Sequence, residues 1–124
     1  MSSRLRISKK ASEQLNHLSK RLDLRRNIVC RLAIGRSLAE KGSVKNMKPK
    51  DSAGFEFNKY TLTGEYDEIF KALVKQHEKK LDDREYISTF LRNHIERGIQ
   101  FLYIEYQRIN SPIDFFADLF KSNI

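Results

Sequence analysis

The sequence predicts a mainly α-helical single domain with a short N-terminal strand and about five helices. Three observations predict it. Apolar residues recur at i, i+3, i+4 and i+7 through most of the chain, whereas strict alternation is confined to Arg4–Ile7 and to a stretch from Phe55. A length of 124 residues fits one compact core and leaves little room for a second. With 40% hydrophobic and 32% charged residues, the chain is neither disordered by composition nor membrane-spanning, and no apolar run approaches the roughly 18 residues of a bilayer span. Met1-Ser2-Ser3-Arg4 leads into a polar pattern and not into an apolar signal core. The single cysteine, Cys30, excludes an intrachain disulfide and suits a reducing interior, so the expected location is cytoplasmic with no membrane partner.

The elements follow in order. Arg4-Leu5-Arg6-Ile7 reads as a half-buried strand too short to stand without a partner. Ser8 caps a first helix carrying Ala11, Leu15, Leu18 and Leu22 on one stripe. After Leu22-Asp23-Leu24, Asp23 or Asn27 caps a second helix with Ile28, Val29, Leu32, Ala33 and Leu38 on its apolar side, ending at Gly42. Gly35 lies inside that helix, either tolerated or there for close helix approach. Residues 1–42 thus form a basic strand-helix-helix part and 43–63 a connecting segment with a turn at Asp51-Ser52-Ala53-Gly54; Phe55–Tyr60 is a strand or extended. Residues 64–124 supply the C-terminal helices for core and oligomer. Tyr66, Ile69, Phe70, Leu73, Val74, His77 and Leu81 mark a third helix capped by Thr63. Asp82-Asp83-Arg84-Glu85 starts a fourth, running through Ile87, Phe90, Leu91, His94, Ile95, Leu102, Tyr106 and Ile109. Phe101, Tyr103 and Ile104 make its end apolar nearly all round, which calls for a central helix or a self-association face. Ser111-Pro112 opens a last helix whose Phe115, Phe116, Leu119 and Phe120 dock onto a core or another subunit.

No catalytic constellation emerges, and no cofactor or metal site is expected. His17, His77 and His94 have no Cys or His partner at metal-ligand spacing; His77 and His94 read as satisfied core or interface residues. Cys30 reads as a small buried hydrophobe, the alternative being a thiol activated by Arg26 and Arg31. Asp82-Asp83 reads as a helix cap, and neither a glycine-rich phosphate loop nor a Gly-x-Ser-x-Gly elbow is present. The expectation is a protein that is not an enzyme by itself.

Charge is the most informative quantity. The formal net charge is +8 and the pI about 9.7. Residues 1–50 carry 14 Lys/Arg against three acids, Glu13, Asp23 and Glu40, whereas residues 51–124 carry 10 against 13. So lopsided a half is the footprint expected for a phosphate backbone. Cations at helix C-termini complement the dipole, which gives Lys20, Arg21 and Lys41 an ordinary explanation. Lys9, Lys10, Arg25 and Arg26 sit at N-terminal helix ends, beside free N–H groups suited to phosphate and where positive charge is unfavourable, so they lead the phosphate-contact candidates. Lys20, Arg21, Arg31, Arg4 and Arg6 complete the candidate set, and Lys45, Lys48 and Lys50 are weaker members.

Two resemblances bear on these residues. Arg4-Leu5-Arg6-Ile7-Ser8, Leu22-Asp23-Leu24 and Arg25–Ala33 resemble the ribbon-helix-helix DNA-binding family, which implies strands paired between two chains, Arg4 and Arg6 facing outward to bases, and Leu5 and Ile7 facing the core. Over the full length, Leu5-Arg6-Ile7-Ser8, Asn27–Ala33, Phe55–Glu65 and His94-Ile95-Glu96-Arg97-Gly98 resemble the DndE family, the small subunits of the bacterial Dnd DNA phosphorothioation system, which replaces a non-bridging backbone oxygen by sulfur. That resemblance implies a non-enzymatic, tetramer-forming binder of double-stranded DNA that prefers nicked duplex and works beside a cysteine desulfurase, an iron–sulfur protein and other Dnd subunits. The leading expectation is therefore a subunit that holds the DNA backbone through Lys/Arg. The alternatives are a ribbon-helix-helix repressor or antitoxin that reads specific bases, and an adaptor for acidic protein partners.

Overall fold

The computed structural model describes residues 3–79 and 81–121, so Met1 and Ser2 of the polar N-terminal stretch lie outside the description. Alternation sets β1 (Arg4–Arg6) with Leu5 and Ile7 buried and both arginines out. Its partner is β2 (Glu56–Asn58) of the same chain, antiparallel, with Leu5 opposite Phe57. Ile7 and Gly54 extend the ladder through Ile7 N–H to Phe55 O (3.0 Å) and Gly54 N–H to Ile7 O (2.9 Å). The strand-helix-helix order is present, but this ribbon is intramolecular.

Ser8 caps α1 (Lys9–Leu22), its Oγ accepting from Ala11 N at 3.1 Å, and Ala11, Leu15, Leu18 and Leu22 are buried as their spacing predicts. Asp23, in the left-handed region at φ 54°, ends α1 and does not cap the next helix. α2 (Arg26–Leu38) starts from Arg25 with no side-chain cap, while Asn27 donates its amide to Thr61 O. α2 stops at Leu38, short of Gly42, because Arg97 donates to Ser37 O (2.7 Å) and Gly42 O (2.6 Å) and satisfies the end of the helix.

The third helix expected over Tyr66–Leu81 is preceded by a separate short helix that begins in a stretch expected to be extended, and itself starts from Tyr66 with no side-chain cap and not from Thr63. α3 (Lys59–Thr63) ends at Gly64, whose φ of 57° suits only glycine here, and after a 3₁₀ turn α4 (Asp67–Glu78) begins. α4 leans on the body along Phe70, Val74, His77 and Glu78, so Tyr66, Ile69 and Leu73, expected inward, are 46%, 58% and 44% exposed. Asp82 does cap, accepting from Arg84 N at 2.9 Å, and a 3₁₀ turn and a π-helical stretch (Tyr86–Leu91) lead into α5 (Arg92–Ile109). α5 is central, with Ile95, Ile99, Leu102 and Tyr106 wholly buried. The close helix approach considered at Gly35 occurs at Gly98, where a Cβ would lie 1.8 Å from Ala33 O; Gly35 has open space. α6 (Pro112–Lys121) docks through Phe115, whose ring is 5.6 Å from that of Tyr106, and leaves Ile113 and Phe120 exposed. Among the described residues no helix is long and apolar enough to cross a membrane.

Candidate nucleic-acid interface

The candidate cations divide into three groups. Arg4, Arg6, Lys9 and Arg26 all border the segment 51–56. Arg4 pairs with Glu56 (3.4 Å), Arg6 reaches Glu56 (3.8 Å) and donates to Gly54 O (3.2 Å), and Arg26 stacks 4.1 Å from the centroid of Phe55. Lys9 lies beside Asp51, whose carboxyl is held below its usual range by backbone N–H donors from Ala53 and Lys9. Arg21 and Arg31 serve the fold. Arg21 donates to Tyr106 Oη (3.1 Å) and Asn110 Oδ1 (3.4 Å); Arg31 donates to Leu62 O (2.6 Å), tying α2 to α3. By contrast Lys10, Lys20 and Arg25 are exposed and form no ion pair among the described residues.

The N-terminus of α1 is not the open phosphate cradle its sequence suggests. Glu96 accepts from Ser8 N (2.6 Å) and Ser8 Oγ (2.9 Å), Asp51 accepts from Lys9 N (2.9 Å), and Ser8 Oγ accepts from Ala11 N. Two carboxylates already occupy the positive end of the dipole, which also explains how Lys9 and Lys10 are tolerated there. Their ammonium groups, and not the helix N–H groups, are what remains for an anion. α1 spans about 21 Å at 1.5 Å per residue, so Lys9 and Lys10 at its start and Lys20 at its end are spaced along one rod, with Arg25 just beyond.

Polar residues of α5 that the sequence left unassigned hold this basic part in place. Buried Asn93 donates to Val44 O (2.9 Å) and Met47 O (3.1 Å), fixing the basic connection. Arg97 closes α2, Glu96 closes α1, and Gly98 admits α2. Their signal was compositional: a run of polar residues at the start of a helix whose later part is apolar nearly all round. Arg36 is bound by Glu40 (2.8 Å) and Glu105 (2.7 Å), so the groove of about 520 Å³ lined by Arg31, Arg36, Glu105, Arg108 and Asp118 carries mixed charge.

Two residue types read as inert differ in outcome. Cys30 is fully buried and burial pushes its thiol up to about 12, while Arg26 and Arg31 are turned to Phe55 and Leu62; the activated-thiol alternative is excluded. His77 and His94, distant in sequence, meet at Glu78, with His77 Nδ1 at 2.7 Å and His94 Nε2 at 2.9 Å from Glu78 Oε2. Burial holds His94 down at about 4, against the opposing pull of Glu78, so its imidazole is neutral. Burial alone would raise Glu78, but hydrogen bonds from Ser43, His77 and His94 hold its carboxyl below the usual range.

The comparisons with known proteins concern nearly the whole chain. The family model described as DNA sulphur modification protein DndE matches residues 4–109. Two crystal structures are similar: DndE from Escherichia coli B7A involved in DNA phosphorothioation modification (24% identity, 82% of this chain and 96% of that one, TM-score 0.66), and a glycine-to-lysine mutant of DndE involved in DNA phosphorothioation (26% identity, 82% and 97%, TM-score 0.63). No curated protein matches.

Proposed function

This chain belongs to the DndE family of DNA sulphur modification proteins, and from that premise we propose that it is the non-catalytic DNA-holding subunit of a phosphorothioation system. It grips double-stranded, preferentially nicked, DNA through phosphate contacts and brings the duplex to the other Dnd subunits in the cytoplasm. The observation that carries this is the pairing pattern of the cations: of a first half with 14 Lys/Arg and three acids, the candidates Lys10, Lys20 and Arg25, and with them Lys41, Lys45 and Lys48, stay exposed and without an ion pair among the described residues. Self-association as a tetramer is supported by the apolar side chains left outside, Tyr60 on α3, Tyr66 in the turn after it, Ile69 and Leu73 on α4, and Ile113 and Phe120 on α6. Base reading by Arg4 and Arg6 gains less support, since Glu56 holds both.

The test is a gel-shift titration on intact and singly nicked duplexes of unrelated sequence at two salt concentrations. Binding falls with salt at a log–log slope of about −0.9 per neutralised phosphate and is blind to sequence. Lys10→Ala and Arg25→Ala each flatten the slope by about one, whereas Lys75→Ala, whose charge is held by Asp83 at 3.0 Å, leaves it unchanged. A flat salt response, or footprints at specific half-sites, refutes the reading.

A further inference from the structure

The ends of α4 and α2 meet the start of α5 at a buried cluster of His77, Glu78 and His94, whose ligand atoms all lie within 4.8 Å of one another. We propose that these three residues form a binding site for one divalent transition-metal ion of the Zn²⁺ class, with His77 Nδ1, a Glu78 carboxylate oxygen and His94 Nε2 as ligands.

Four features carry the assignment. Two imidazoles and one carboxylate are a donor set that suits Zn²⁺, with a fourth position left for water. The rings also have their other nitrogens engaged as ligating histidines do: His77 Nε2 at 2.5 Å from Glu40 O, and His94 Nδ1 at 2.8 Å from Ser37 Oγ, which Arg97 Nε holds at 2.8 Å. The His77 ring faces an oxygen at each nitrogen, Glu40 O at Nε2 and Glu78 Oε2 at Nδ1, so Nδ1 is the atom that meets a cation shared with Glu78. His94 has Ser37 Oγ at 2.8 Å from Nδ1 to accept the ring N–H, which leaves Nε2 to ligate. Around an ion with bonds of about 2.0 Å the contacts at 2.7 and 2.9 Å widen to roughly 3.3 Å, and the two ring nitrogens, within 4.8 Å of each other, settle at a similar separation by small turns of the rings. Access comes from a surface groove lined by Gly35, Leu38, Leu73, Gln76 and His77. A bound ion would pin α4, which rests on the body along one edge only, to α5 and to the end of α2. The proposal is independent of DNA binding.

The full-length chain, stripped with chelator, is titrated with Zn²⁺ against a chromophoric chelator and with Co²⁺ followed by its visible d–d spectrum. One Zn²⁺ per chain, a Zn²⁺-dependent rise in Tm, and Co²⁺ bands of a four- or five-coordinate nitrogen–oxygen site are expected. His77→Gln weakens Zn²⁺ binding by at least about tenfold, while His17→Gln, on the exposed face of α1, leaves it unchanged. A folded wild-type chain that binds neither ion overturns the proposal, as does undiminished binding in His77→Gln or loss in His17→Gln. Should circular dichroism show that His77→Gln does not fold, the wild-type Co²⁺ spectrum decides: a weak octahedral aqua spectrum overturns the site.

Discussion

The same substitution, glycine to alanine, has opposite consequences at Gly98 and Gly35. At Gly98 a Cβ would sit 1.8 Å from Ala33 O, 2.3 Å from its carbonyl carbon and 2.7 Å from its Cα, all backbone atoms of α2, and real Cβ contacts essentially never fall under 3.0 Å. The two helices must therefore separate by more than an ångström along the central contact of the fold. Such overpacking costs about 1–3 kcal/mol or more. The helix-propensity gain of alanine over glycine, about 1 kcal/mol, offsets only part of it, and because rigid backbone meets the new methyl the cost falls at the upper end or beyond. We expect Gly98→Ala to lose about 2 kcal/mol or more, a fall in Tm of roughly 6–10 °C for a chain of this size. Gly35, with nothing within 4 Å, keeps the propensity gain, so Gly35→Ala gains about 0.5–1 kcal/mol. Urea denaturation by far-UV circular dichroism measures both, repeated at two protein concentrations so that an effect on self-association separates from one on the fold. A Gly98→Ala protein within 0.5 kcal/mol of wild type would refute the close-approach reasoning.

Three further outcomes follow from particular contacts. Cys30, with its thiol pushed up to about 12, does not react with a disulfide reagent in the native chain at pH 8 and reacts only at the rate of unfolding; fast stoichiometric labelling would contradict its burial. Asn93→Ala strands the Val44 and Met47 carbonyls, costs about 2 kcal/mol, and raises amide hydrogen exchange across 44–48; unchanged exchange there would show that the connection is held by other contacts. Glu96→Ala leaves Ser8 N–H without its acceptor and costs about 1–3 kcal/mol in urea denaturation, whereas a neutral result would mean that water replaces the carboxylate without loss.

Most of the fold was legible because its elements are amphipathic and locally capped. Ser8, Leu15, Leu18 and Leu22 specify α1 without help from the rest of the chain, and the alternation at Arg4–Ile7 specifies which side of β1 is buried. What was not legible depends on partners distant in sequence. The alternation from Phe55 to Tyr60 does not announce that Lys59–Thr63 is a short helix closed by Gly64, and a stripe as wide as Tyr66-Ile69-Phe70-Leu73-Val74 does not say which edge meets the body. Gly35 and Gly98 look alike in sequence; only the crossing of α2 over α5 separates them. The histidines appeared isolated because His77 and His94 belong to different helices and their meeting point, Glu78, reads as a surface acid at a helix end.

The candidate interface was legible as a total and not as a set of residues, for an electrostatic reason. The acids of the second half do not balance the first half diffusely. Glu56 sits between Arg4 and Arg6, Glu105 holds Arg36, and Asp51 and Glu96 occupy the start of α1. Each acid contributes to folding by engaging one particular cation or helix end, and in doing so lowers that group's value to a passing phosphate, since a phosphate must displace a partner already in place. Lys10, Lys20 and Arg25 carry no such competition among the described residues, and as exposed cations they lose little hydration when they meet a phosphate. Counterion release then favours these side chains over Arg21 and Arg31, although both arginines contribute equally to the net charge. A count of charges identifies the half of the chain that carries the excess cations; the pairing inside the fold decides which of them remain open to a phosphate.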